Sequence, residues 1–396
     1  MFEQIISELI SPTPRAIDGY SSSFQTGTPF DLLTFPEAFA PASTLVSVLQ
    51  SLEGVASLGC IHVGLRPDDD NQRHLFSNAE IQALVDALRA ISATVAVDLA
   101  QFSAWFSDQP THLMINLGCL FTLDAEQRLR VCLHPKLVRS QYEYSPLPEA
   151  TMAEANLISL VTLLPADKRL LSVTIQPLIC SDALSLPTDR GTPPPIVAVN
   201  SAETPFDNPP DHIDFVSVAT HTPQVMRVVP GKDGGAREWH QEFRETFCRA
   251  AQSGELARHH FATFILSNFE TLSSGRSGGL SGIFQPIDPR EECLHPAVRL
   301  SRYGRYNRGN NEWSVPGAAS EAGWDTRGYI AALAPSSEMY PAAVRVFGFS
   351  LGSTLRDTPL WKPARAPASC EILLARWQTS DRLEFADWRE NPDDRG

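Results

Sequence analysis

Apolar positions along the chain alternate between short unbroken runs and helical stripes. Residues 30–35 (FDLLTF) form an apolar run between turn-rich flanks, the pattern of a buried strand. Over 42–52, Leu45, Val46, Leu49 and Leu52 recur at helical spacing, and 58–65 returns to a strand-like run. Ser77 and Glu80 have the S-x-x-E form of a capping box, and Ile81, Leu84, Val85, Leu88 and Ile91 continue one apolar face, so a helix is expected to start there. Runs at 113–121, 129–133, 171–179, 215–219 and 261–269 predict further strands. Trp239, Phe243, Phe247 and Ala250 stripe a helix over 238–252. The alternation of strands and helices predicts an α/β fold.

Two stretches break this rhythm. The prolines of 187–210 forbid a continuous helix and predict a long surface loop. From about 290 the chain turns polar and rich in Gly and Arg, with short strand candidates at 343–349 and 371–377.

Composition narrows the function classes. The 396 residues carry 32 Lys+Arg against 46 Asp+Glu, a formal net charge of −14, which disfavours nucleic acid as a partner. Arg299, Arg302, Arg305 and Arg308, interleaved with Tyr303 and Tyr306, read as a solvated loop. The seven cysteines show no C-x-x-C spacing, so neither a disulfide framework nor a zinc site is expected, and a reducing compartment is. Glu3 and Glu8 sit where a signal peptide needs basic residues, and no apolar stretch approaches the ~18 residues that cross a bilayer. Cytoplasmic location without membrane attachment is the expectation. There is no Walker A loop, G-x-G-x-x-G or H-E-x-x-H, so no cofactor and no metal is expected.

Serine chemistry is the first candidate to fall. G-x-S-x-G occurs at 275–279 and 348–352, but that elbow needs a histidine well downstream and the last one is His295. Three other reactive side chains each follow a strand candidate: Glu37 in TFPEAF, Lys136 in CLHPKLV and Cys180 in PLICSD. Taken singly, these are a turn, a surface lysine and an inert buried thiol. Taken together they form a chemical set. A carboxylate can take a thiol proton, the thiolate can attack an amide or nitrile carbon, and a fixed ammonium with a backbone N–H, such as that of Ser181, can stabilise the charge that develops.

In their order and flanks these segments resemble the nitrilase, or carbon-nitrogen hydrolase, superfamily, whose members share a Glu-Lys-Cys triad in that chain order. The resemblance rests on FPE at 35–37, a lysine after the D-x-x-x-x-L stretch at 124–129, and I-C-x-D at 179–182. It implies Glu37 as general base, Lys136 as the oxyanion-stabilising residue and Cys180 as nucleophile. QYEYSP is similar to the segment carrying a second family glutamate, which gives Glu143 the role of buttressing the lysine or orienting substrate. HIDFVSVATHTPQ is similar to the strand that ends beside the pocket, so Thr220 and His221 join Ser181 as substrate-binding candidates. CRAAQ, the strand ending at Asn268 and GLSGIFQP resemble the family's closing elements.

The resemblance implies a four-layer α-β-β-α sandwich over 1–290, with insertions near 66–110 and 187–210. A C-terminal extension, 291–396, would pack on it or on a neighbouring subunit, and a homo-oligomer stays open. The implied activity is hydrolysis of a small-molecule amide or carbamoyl group, less so a nitrile, through a Cys180 thioester; acyl transfer to an amine would use the same residues. No run before Phe30 reads as the strand that usually opens the family fold, and the region after Cys180 differs too. These departures motivate the alternative of a catalytically silent scaffold or regulatory subunit.

Overall fold

A computed structural model of the chain describes residues 32–53, 58–69, 74–140, 143–164, 172–183 and 213–221, a few isolated positions, and the strand segments given below from 228 onward. In chain order, β1 (Leu32–Thr34), β2 (Ala40–Pro41), α1 (Ala42–Ser51), β3 (Leu58–Arg66) and β4 (Leu75–Ser77) lead into α2 (Asn78–Arg89), α3 (Ala93–Asp98) and α4 (Ala100–Ser107). Then come β5 (Met114–Leu123), β6 (Leu129–Pro135), β7 (Leu157–Leu164), β8 (Val173–Ile179), β9 (Phe215–Thr220), β10 (Val228–Pro230), β11 (Ala236–Glu238), β12 (Thr263–Asn268) and β13 (Gly282–Phe284). Two hairpins, β14 (Arg305–Asn307) with β15 (Glu312–Ser314) and β16 (Asp325–Ala331) with β17 (Val344–Ser350), precede β18 (Ser369–Arg376).

The strands β1 to β6 form one six-stranded sheet, and a second has the order β13-β12-β9-β8-β7-β18. Residues 58–65, 115–123 and 129–135 are buried with only Arg130 as an exception, because these strands are covered on both faces. On one face, Ile61, Val63, Ile115, Leu117, Phe121, Val131 and Leu133 share a core with apolar residues of α1, α2 and α4. On the other, Cys60, Leu120 and Cys132 pack against Val161, Ile175, Phe215 and Cys370 of the second sheet. Helices, first sheet and second sheet are thus stacked, a mixed α/β arrangement. Leu160, Leu178, Val216 and Val218 on the far face of the second sheet are also buried. Of the helix expected over 238–252 only Glu238 is described, as the last residue of β11, and the rest of it and most of the 187–210 loop lie outside the described residues.

The Ser77 capping box forms, with the Ser77 side chain accepting from the Glu80 N–H and Glu80 accepting from the Ser77 N–H at 2.8 Å. Three features go beyond the sequence expectation or differ from it. The strand β7 pairs antiparallel with β8, although its apolar run had gone unassigned. Arg305, expected in a loop, lies in a hairpin where Tyr306 pairs with Trp313. And β18 runs antiparallel to β7 over eight residue pairs, from Ser369 opposite Leu164 to Arg376 opposite Leu157, so the second sheet draws a strand from sequence beyond 290.

Candidate active site

Glu37 sits where one strand gains residues on its neighbour. Thr34 pairs with His62 and Ala40 with Leu65, so residues 35–39 lie opposite only Val63 and Gly64 and the chain bulges outward. The bulge is pinned by Phe35 N–H to the His62 carbonyl (2.8 Å), Gly64 N–H to that of Pro36 (3.1 Å) and Phe39 N–H to that of Gly64 (2.9 Å). The Glu37 N–H reaches the Thr220 carbonyl in the second sheet at 3.2 Å. Ala38 takes a left-handed φ of 54°, and a Cβ at Gly64 would stand 2.3 Å from the Glu37 Cα, so only glycine fits beneath the bulge. Phe2 packs edge-on against Phe35 with ring centroids 5.1 Å apart.

Lys136 follows β6 directly, its N–H donating to the Asn116 carbonyl at 2.8 Å. Its buried ammonium donates to Glu37 Oε1 at 3.0 Å and to Glu143 Oε1 at 2.8 Å. Asn116 Nδ2 donates to the same two oxygens, at 2.7 and 3.1 Å, and all four side chains are buried. The carboxylates differ in their remaining oxygen. Glu143 Oε2 accepts the Ser140 N–H at 2.7 Å, whereas Glu37 Oε2 accepts no hydrogen bond among the described residues. Burial pulls the lysine down, but Glu143 and Glu37 outweigh it and hold its pKa well above the ordinary value. Burial likewise pushes Glu143 up, and Lys136 together with His74, whose Nε2 lies 3.7 Å away, brings it below the ordinary value.

Cys180 ends β8 with a left-handed φ of 45° and opens a 3₁₀ turn, Cys180–Ala183. Asp182 anchors that turn: Oδ1 accepts the N–H groups of Leu137 (2.9 Å) and Val138 (2.7 Å), and Oδ2 that of Ile179 (3.0 Å). The aspartate of I-C-x-D therefore ties the cysteine to the segment just past Lys136. Burial pushes the Asp182 carboxyl up to about 7. Burial, and then the Glu37 charge, also push the Cys180 thiol up, while Lys136 and the His221 N–H pull the other way. The resting cysteine is a neutral thiol within electrostatic reach of both residues.

All seven site residues expected from the sequence fall in or beside this cluster. Two side chains are already engaged: the buried Ser181 hydroxyl donates to the Val138 carbonyl, and Thr220 Oγ1 donates to the Ser267 carbonyl at 3.1 Å. What these residues offer the cluster is their backbone. His221 is exposed at the end of β9. Asn116 and His74 were not anticipated; the signal for Asn116 is a polar residue inside the apolar run 113–121.

No protein-family model matches the sequence, and no curated protein matches it. Among solved structures the chain is similar to crystal structures of an N-terminal amidase, both alone and with an Asn-Glu-Ala peptide. Each match covers 64% of this chain and 81% of that one at 9% identity, with a TM-score of 0.30. That score is too low to carry an argument about fold or function.

Proposed function

We propose that the chain is a cysteine-dependent hydrolase of non-peptide carbon-nitrogen bonds, acting on an amide or carbamoyl group in preference to a nitrile as the substrate class, through a thioester on Cys180. The observation that supports this most is the buried Lys136 ammonium clamped by two buried carboxylates beside a buried thiol. Desolvating three charges costs several kcal/mol per ion, about what only mutual pairing offsets. A core that needs nothing but packing has no use for them.

The uneven partnering of the two glutamates suggests their roles. Glu143, bonded through both oxygens, holds Lys136 charged and fixed with help from Asn116. Glu37 keeps Oε2 to take the thiol proton as Cys180 Sγ attacks the carbonyl carbon. The C=O electron pair moves onto oxygen, stabilised by a Lys136 N–H and the Ser181 backbone N–H. Collapse breaks the C–N bond, and the leaving amine takes the proton from Glu37. Water then attacks the thioester, Glu37 accepts its proton, and the thiolate leaves and regains that proton as the acid is released. Because the thiol is neutral at rest, proton transfer accompanies attack.

Ammonia release from a panel of amides and nitriles tests the proposal. Release by the wild type that is lost in Cys180→Ala is expected; release that survives the substitution contradicts it.

A further inference from the structure

Directly below the charged cluster lies a second buried polar group. The side chains of Thr34, His62, His134 and Ser217 are all buried between the sheets. His62 Nδ1 lies 2.7 Å from Ser217 Oγ, Ser217 Oγ lies 2.7 Å from Thr34 Oγ1, and His62 Nε2 faces His134 Nε2 at 3.1 Å. Three members stand on β1, β3 and β6 of the first sheet and Ser217 on β9 of the second. The backbone makes room for them, since a Cβ at Gly118 would stand 2.4 Å from His134 Nε2 and 3.3 Å from Ile179 Cδ1.

Each member precedes a residue of the site or its support by two or three positions along the chain: Thr34 before Glu37, His62 before Gly64 beneath the Glu37 bulge, His134 before Lys136, Ser217 before Thr220. We infer that the His62–His134 pair, with Ser217 and Thr34, is an acid-sensitive latch holding the two sheets, and with them the Glu37–Lys136 and Cys180 halves of the site, in register. That it positions reactive residues rests on the function proposed above; its acid sensitivity does not.

Two facing Nε2 atoms can share one proton. One ring donates and the other accepts, so the accepting ring must be neutral, and burial disfavours charge on the donating one. A second proton turns the bond into a contact between two donors in a dry core. The titratable groups sharing these strand faces are Cys60 and Arg66 on β3, Arg130 and Cys132 on β6, and Lys136 just past the end of β6. The facing positions, Leu32 and Thr34 on β1, Gly118 and Leu120 on β5, Ile175, Pro177 and Ile179 on β8, and Phe215, Ser217 and Ala219 on β9, carry none. The nearest permanent charge on these faces is thus the Lys136 cation, which opposes a second one. Burial lowers both pKa values in agreement, that of His134 to about 3, with His134 lowering His62 further.

Both folded-state values lie below the unfolded value of about 6.5, so the stabilisation is complete above pH 6.5 and is lost as pH falls toward the folded values. Urea unfolding between pH 8 and pH 5 tests this. Below pH 6.5 each histidine should lower the folded-to-unfolded ratio about tenfold per pH unit, while the raised Asp182 carboxyl acts in the opposite sense over the same range, so the comparison of wild type with variant carries the test. His134→Gln can donate to or accept from His62 Nε2 but cannot titrate, so it should shed about one such tenfold-per-unit contribution. In folded protein at pH 8, alkylation of Cys180 by iodoacetamide should stay near the wild-type rate in His134→Gln and slow about tenfold or more in His134→Leu. An unchanged slope in His134→Gln overturns the latch. Wild-type alkylation in folded His134→Leu, with only a lower unfolding midpoint, overturns the positioning role. Should His134→Leu not fold, His62→Gln and His62→Leu are measured against the same criteria. Neither readout uses turnover, so absence of amide hydrolysis in the wild type would contradict the proposed function without deciding this inference.

Discussion

Two polar clusters are buried between the same pair of sheets, and they handle charge in opposite ways. The upper one, Glu37, Glu143, Lys136 and Asn116, sets one ammonium within 3.0 Å of an oxygen of each of two carboxylates, and that pairing keeps Lys136 and Glu143 charged. The lower one, Thr34, His62, His134 and Ser217, has no counter-ion among the described residues, and burial keeps its hydrogen-bonded histidines neutral. Burial is equal in both, so burial alone does not set ionisation; pairing does. The charged layer suits chemistry and the neutral layer suits registration.

The harshest way to break the contrast is Lys136→Ala, which leaves two buried carboxylates uncompensated. Urea unfolding should show a loss of about 3–5 kcal/mol, and ammonia release should drop at least about a thousandfold. A smaller perturbation separates the two glutamates. Glu37→Gln should reduce ammonia release about a hundredfold to ten-thousandfold with the fold retained. Glu143→Gln should lower both the rate and the stability, because Glu143 is bonded through both oxygens. Equal consequences in the two variants would remove the division of roles. Asn116→Ala should cost about 1–3 kcal/mol in urea unfolding, the penalty of unpaired buried groups.

The gentlest probe is pH. Glu143 is held below its ordinary value of 4.5 and Lys136 above its ordinary 10.5, so the contribution of these two groups is constant between those values. The neutral layer should instead lose about 1.4 kcal/mol per pH unit for each histidine as pH falls below about 6.5. A stability profile flat from pH 7 to 5 would erase the contrast between the layers.

How much of this the sequence disclosed depended on whether the signal was local. The Ser77 helix is specified by a capping box four residues long, and that box forms as read. Glu37, Lys136, Cys180 and Glu143 stood out because each follows a strand candidate in a distinctive flank. That Glu37 and Lys136, 99 residues apart, share a hydrogen bond is a matter of sheet pairing, which no local pattern encodes. Asn116, His62 and His134 were missed for a common reason. Each is a polar residue inside an otherwise apolar strand run, and which polar partner it meets depends on the strand beside it. The α3 and α4 helices went unread because α3 is short and α4 is nearly continuous with it, leaving little periodicity to detect. Gly64 and Gly118 look like strand weaknesses in sequence, and only the approach of Glu37 and His134 explains them.

The central claim is that Cys180 is the reactive thiol among several buried cysteines. Intact-mass measurement after exposure to an electrophilic amide or nitrile probe, followed by peptide mapping, tests it most directly. A single adduct on the peptide containing Cys180, absent in Cys180→Ala and slowed in Glu37→Gln, is the expected result. An adduct distribution in which Cys180 reacts no faster than Cys60 or Cys132 would contradict it.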